Sequence, residues 1–424
     1  MPYRRMETVP SGLRTAALVL TAIGAIGLIA AFLIEPARAW RAYYINWLYF
    51  MGVAQGAVLV SVVVSITTGM WARPLRRISL SFAAFMPIAF LMMIPIFIGA
   101  GHIWPWVGEP SLLSPGKEAW LNVPFLTART ILGMAILIGL DLAFAYHALR
   151  PDLGLIRDRI PGTLKPLHGW MTRNWRGQET EEIQAFKKMQ VLSAFLVVVY
   201  AIVLGTIGWD FVMSLEPHWF STLIGPYFFM GAFLTGLMVT GVIALRYRSG
   251  YGLQEWITEK NMHDLGKLCF GFTVFWGYLF FSQYIVIWYG LLPIEQSFVI
   301  HRFSAPFVWI AYLVGLCVFA LPFFGLLGVT AKKRPEFFTL FASISLFGMW
   351  LERYLLVYPS LWTGTDSLPL SWQEPAVALL FLGLMIGAHT WFAARFPMLQ
   401  MWTPPSEVEL SGITMELSET AAVR

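Results

Sequence analysis

The residues best placed to do chemistry gather in the stretch Trp209-Asp210-Phe211-Val212-Met213-Ser214-Leu215-Glu216-Pro217-His218-Trp219-Phe220-Ser221-Thr222. Two carboxylates, an imidazole and hydroxyls stand here between two long apolar runs. Unpaired polar groups are costly in hydrocarbon, so such a cluster belongs at a membrane boundary or in a protected cavity. Pro217 cannot continue a helix, and it pushes Glu216 toward extended backbone, which predicts a tight turn at one membrane face. Two readings follow. One is a polar turn in an aromatic interface belt, with no chemistry at all. The other is an amphipathic pocket at the membrane edge, of the kind a quinone headgroup requires. In it Asp210, Glu216 and His218 would be joined by His102, Gln283 and Tyr284.

A second set of ionisable groups lies inside or at the ends of apolar runs: Asp141 and His147, His263 and Asp264, Glu352 and Arg353. Within a bilayer such groups are functional candidates, and they are read here as parts of a proton path. Asp141, helped by His147, would belong to an inner half-channel, with Glu352 and Arg353 nearer an outer one. The six-residue step from Asp141 to His147 is about 9 Å of rise and about 240° of rotation, so a bridging group is needed between them. Each residue also has a purely structural reading. Asp141, Glu352 and Arg353 would then neutralise partners on neighbouring helices, His263-Asp264 would cap a helix, and His147 would sit at headgroup level.

No catalytic or metal-ligating set is expected. Of the seven histidines only His389 falls clearly inside a span, without a partner at haem-ligating depth. Cys269 and Cys317 occupy separate apolar runs and form no CxxC pair. No phosphate-cradling glycine loop opens a helix. The chain should bind no haem, metal or nucleotide of its own.

The elements that must position these groups are membrane helices. The 424 residues are 58% hydrophobic and only 12% charged, against about 25% charged in soluble domains. Apolar runs long enough to span occur at about 13–34, 45–71, 76–101, 122–148, 189–214, 219–246, 262–290, 305–330, 335–358 and 374–396. Ten spans put both termini on one side. Of the 29 Lys and Arg, only Arg38, Arg41, Lys117, Arg129, Arg302 and Arg353 fall toward the other side. That bias assigns both termini to the cytoplasm. The first run follows a basic start and is read as a retained helix. The connection from Arg150 to Lys188 is read as a polar cytoplasmic loop. Residues 406–424 are read as a polar cytoplasmic tail following a membrane domain at 1–405. The loops at 101–121, 209–222, 288–304 and 359–373 are rich in Trp and poor in Lys, the composition of a docking surface, with Trp219 and His218 at its centre.

A faint internal repeat organises the spans. Ile34-Glu35-Pro36 precedes a run containing Tyr49-Phe50-Met51-Gly52, and Leu215-Glu216-Pro217 precedes one containing Phe228-Phe229-Met230-Gly231. The copies are four spans apart and so share a direction. The expected fold is an all-α polytopic membrane protein with two four-helix bundles, about 45–214 and 219–358, and flanking helices at 13–34 and 374–396.

The 209–222 stretch resembles the signature of the NrfD-like, ActF-type integral membrane subunits of bacterial alternative complex III. So do His263-Asp264-Leu265-Gly266-Lys267-Leu268, Tyr278 to Tyr284, Trp288-Tyr289-Gly290, Asn122-Val123-Pro124-Phe125, and Arg353-Tyr354 to Pro359-Ser360. Leu291-Leu292-Pro293-Ile294-Glu295 departs from that pattern by one amide and one carboxylate. The resemblance implies a subunit of a quinol:cytochrome c oxidoreductase in the bacterial cytoplasmic membrane. Its partners would be iron–sulfur and multihaem cytochrome c subunits carrying the redox centres, a sister NrfD-like subunit, quinone and lipid, with no nucleic acid. This chain would supply a quinone-adjacent pocket, part of a proton path, and an anchor for the redox subunits. The alternatives are a secondary transporter, which commonly breaks paired helices at the midplane, and a purely structural anchor.

Overall fold

The computed structural model describes residues 11–157, 162–362 and 370–403. The tail expected at 406–424 lies outside them. Among the described residues ten helices are long and apolar enough to cross a membrane, and no strand occurs, so the chain is an all-α multi-pass membrane protein. The spans are numbered in chain order: span 1 Ser11–Ile34, span 2 Pro36–Ile66, span 3 Met70–Ile98, span 4 Val123–Leu155, span 5 Gln178–Leu215, span 6 Ile224–Gly250, span 7 Glu259–Gly290, span 8 Val308–Leu327, span 9 Pro335–Leu361 and span 10 Gln373–Arg395. Local chemistry starts them. Pro36 and Pro335 take first-turn positions where a missing N–H costs nothing. The Asn122 side chain accepts from Phe125 N at 2.9 Å. Thr258 and Asn261 form a reciprocal capping box.

Contacts close two rings. Span 2 packs on spans 3 and 5, and span 4 joins those two. Span 6 packs on spans 7 and 9, with span 8 between them. Spans 1 and 10 pair with each other and lean on span 2. The rings meet where span 2 crosses span 6. A Cβ on Gly56 would stand 1.9 Å from Ala232 O, and one on Gly236 would stand 2.1 Å from Gly56 C, so the backbones touch. The two helices that carry the repeat motifs therefore meet at this seam. Spans 2 and 6 are accordingly the interior helices, 89% and 78% buried over their most apolar windows, against 17% for span 1.

Two expectations about element limits change. Span 2 starts at Pro36 rather than 45, because Arg38 does not need solvent: its Nε lies 2.8 Å from Glu374 Oε1 on span 10, both side chains buried. The connection from Arg150 to Lys188 is mostly helical. Span 4 runs to Leu155, a short helix covers Lys165–Met171, and span 5 begins at Gln178, with Glu179 and Glu181 in its favourable first turn. Span 3 is the discontinuous one. A 3₁₀ turn at Ser81–Ala84 precedes the helix Met86–Ile98, in which Pro87 takes a first-turn place and Pro95 is accommodated. Its counterpart, span 7, is a single unbroken α-helix.

Connections alternate between two faces. One carries the turn after span 5 and the helix Pro293–Phe303, and is called the clamp face below. The other, the basic face, carries the connection between spans 4 and 5.

Candidate functional site

The second ring holds a cavity of about 470 Å³ between spans 6, 7, 8 and 9 and the helix Pro293–Phe303, open to the outer surface past exposed Phe281 and Tyr312. Its wall is mainly aromatic, with Trp276, Phe280, Phe298 and Phe319 on it. Span 8 opens the space by switching to π-helical geometry over Gly315–Ala320, which turns Gly315 and Phe319 toward it. Single π turns of this kind recur at ligand sites. Few polar groups reach the lining: Tyr227, Gln283, Tyr284, Arg302, Tyr312 and Glu352.

Glu352 is the buried acid of this site, 1% exposed. Arg353 Nη1 lies 3.0 Å from its Oε2, and Tyr227 lines the same cavity from span 6. Arg353 turns the other way, toward span 6. Its Nη2 donates to Phe228 O at 3.0 Å, and its guanidinium lies 4.1 Å from the Phe228 ring centre. Gly231 makes the room, since a Cβ there would stand 3.1 Å from Arg353 Nη2. The Phe-Phe-Met-Gly repeat motif is therefore an arginine seat. Glu352 and Arg353 neutralise each other rather than a charge on another span.

Only part of the expected membrane-edge cluster lines the cavity. Gln283 and Tyr284 do, and the Ser221 hydroxyl bonds Gln283 Oε1 at 3.0 Å. Asp210 does not. Arg129 grips it with Nε to Oδ2 at 2.7 Å and Nη2 to Oδ1 at 2.8 Å, and Trp120 Nε1 donates to Oδ1 at 2.9 Å. That bidentate pair locks the ends of spans 4 and 5 together. Glu216 is also a clamp. It accepts from Arg302 Nη1 at 3.0 Å and from Ser360 Oγ at 2.7 Å, with His301 Nδ1 at 3.5 Å. Burial alone would raise the Glu216 carboxyl, but Arg302, Ser360 and His301 outweigh it and hold the group below the usual range. Burial pulls the Arg302 guanidinium down to about 10 against the pull of Glu216. His102 and His218 are exposed and line no part of the cavity. Trp219, expected on a docking surface, is 1% exposed and stacks on Phe298 at 3.6 Å. It is core, because the turn folds inward over the cavity roof.

The first ring holds Asp141 near mid-span, with no exposure. Gln55 Nε2 donates to its Oδ1 at 3.2 Å. Asp141 Oδ2 and Gln55 Oε1 meet no partner. Among the described residues no cation pairs with Asp141, and the side chain that bonds it is the neutral Gln55 amide on span 2. His147 does not join it. It stands at the basic end of the same helix, edge-on to Tyr146, beside Arg150 and Lys188. His263 and Asp264 are not a cap, because the helix starts a turn earlier at Thr258. Asp264 pairs with Lys267 at 2.6 Å on the half-exposed surface. The expected proton-path residues thus fall into four separate places.

Sequence reasoning missed several members. Gln55 stands as a lone amide in the apolar run of span 2, which was the available signal. Arg302 was visible as one of the few cations assigned to the clamp face, but its role depends on a fold-back of the 293–303 segment. Tyr227 carried no local signal. His389, which sequence alone left without a partner, bonds Ser81 Oγ at 2.7 Å and the Tyr247 hydroxyl at 3.2 Å. No group of three His, Cys, Asp or Glu among the described residues could hold a metal ion. In comparison with known proteins, no family model matches the chain and no curated protein matches it significantly.

Proposed function

We propose that this chain is an NrfD-like membrane subunit of a quinol:cytochrome c-type oxidoreductase in a bacterial cytoplasmic membrane, and that the second-ring cavity seats an isoprenoid quinone ring. The observation that carries the reading is the cavity itself: about 470 Å³, walled by aromatics, with Glu352, Gln283 and Tyr284 as isolated polar points. Amphipathic ring ligands need this combination of a large apolar surface and a few orienting groups. In the reaction a quinol gives up two electrons and two protons. The electrons go to iron–sulfur and haem c centres held by partner subunits. Glu352 is the carboxylate of this chain placed to receive a proton, and Arg353 holds it in position. Asp141 and Gln55 would relay protons in the first ring, nearer the basic face. The Lys and Arg bias supports cytoplasmic termini and a clamp face turned outward. The transporter alternative is the weaker reading, because the break in span 3 has no counterpart in span 7.

The test is a titration of the purified full-length protein in detergent with a short-tailed quinone, followed by quenching of tryptophan fluorescence. Gly315 borders the cavity and a Cβ there meets nothing within 4 Å, so Gly315→Leu fills the space without disturbing the packing. The half-saturating quinone concentration should rise at least about tenfold, the equivalent of about 1.4 kcal/mol. An unchanged titration would remove the cavity from the proposal.

A further inference from the structure

On the basic face a second concavity, about 240 Å³, opens between the end of span 4 and the start of span 5. Its floor is a built structure. Arg150 is buried and held by Glu181 through Nε to Oε2 at 2.6 Å and Nη2 to Oε1 at 2.8 Å. The same guanidinium donates to Met171 O at 2.8 Å and Arg173 O at 3.0 Å, which wraps the 171–177 segment around it. Asn174 and Gly177 take positive φ values, 56° and 105°, to make that wrap. The result is that Arg173, Arg176 and Lys188 converge on one pocket. None of these three side chains has a hydrogen bond or ion pair among the described residues, since Glu181 is consumed by Arg150. The three exposed cations and Arg150 share this concavity with a single carboxylate, Glu181, so its net charge is positive and attracts an anion.

The surroundings say which anion. Span 5 is polar up to Lys188 and apolar after it, so the pocket sits at the hydrocarbon boundary. Lys188, Val191 and Phe195 follow an i, i+3, i+7 spacing and share a helix face. Val191 and Phe195 are 59% and 60% exposed. A cationic seat therefore continues, over about 10 Å of helix rise, into an exposed apolar track. Exposed Trp170 stands nearby on the short helix Lys165–Met171, suited to headgroup depth. A free phosphate would use the seat and leave the track unused. We infer that this pocket binds the phosphate of an anionic phospholipid, with its acyl chain along Val191 and Phe195.

The test uses delipidated full-length protein in neutral detergent and reads the thermal midpoint against added phosphatidylglycerol, phosphatidylcholine or inorganic phosphate. Phosphatidylglycerol should raise the midpoint, and the other two at equal concentration should not. In Arg173→Gln/Arg176→Gln/Lys188→Gln the phosphatidylglycerol concentration for half the effect should rise at least about tenfold. The exposed cations Arg157, Lys165 and Lys187 lie outside the pocket, and their Gln triple should shift it less than about twofold. The single Lys188→Gln should show about threefold and guards against misfolding of the triple. An unchanged response in the pocket triple, an equal loss in the control triple, or full reproduction of the effect by inorganic phosphate would each overturn the inference.

Discussion

The two rings are built on one plan and hold their buried acids differently. In the first, Asp141 has a single neutral partner, Gln55, and no cation. In the second, Glu352 has an arginine, a tyrosine and a cavity beside it. The scaffold accounts for the likeness: spans 2 and 6 form the seam between the two rings. The difference comes from a few substitutions on that scaffold. Gly231 seats Arg353, the π turn in span 8 makes space, and the 293–303 helix brings Arg302 under the turn. A polar cluster at the membrane edge thus serves as a roof and clamp, while the ligand space lies deeper. Asp210 holds spans 4 and 5 of the first ring together, and Glu216 ties the turn to Arg302 and Ser360 above the second-ring cavity.

The sharpest way to break the comparison is to unpair the second-ring acid. Arg353→Met removes the cation and leaves Glu352 buried without compensation. Loss of one partner of such a pair costs about 3–5 kcal/mol, so the purified protein should melt far lower or fail to accumulate. Glu352→Gln/Arg353→Met together should recover much of that loss. If the single and double variants melt alike, the loss of stability does not come from leaving Glu352 without its cation.

A smaller effect is expected at the clamp. The Glu216 carboxyl is held below its ordinary value, so its contribution is present above about pH 4.5 and disappears as pH falls through the lower folded value. The thermal midpoint of the wild type should drop by a few degrees across that acidic window. Glu216→Gln should start lower at neutral pH and lose less over the same window. Parallel acid curves would mean that Glu216 does not contribute through its charge.

The smallest effect on stability is expected in the first ring, and there the comparison becomes functional. Asp141→Asn removes no ion pair and keeps an acceptor for Gln55 Nε2, so stability should change by about 1 kcal/mol or less. Proton uptake by the complex in vesicles should nevertheless fall while quinol oxidation continues. A large loss of stability would make Asp141 a structural residue, and full coupling would remove it from the proton path.

Much of this was readable from the chain. Ten apolar runs gave ten spans, and isolated charges inside them gave Asp141 and Glu352, because lipid punishes unpaired polarity so strongly that each such residue stands out. The element limits were less readable, because Arg38 and Glu181 find partners far along the chain and let helices run on past polar residues. The cavity was least readable. Its polar members come from spans 6, 7, 8 and 9 and one short helix, and no local spacing links Tyr227 to Glu352 or Arg302 to Glu216. His102 and His218 looked like site residues because histidine is chemically versatile, but exposure leaves them without a partner to act on.

The central claim is that the second ring, and not the first, takes the quinone. The direct measurement is covalent labelling of the full-length protein by a photoreactive quinone analogue, with the modified peptides located by mass spectrometry. Labels should concentrate on the cavity segments, 276–284 and 311–319, and be competed away by unlabelled quinone. Competed labelling confined to spans 2 to 5 would contradict the account.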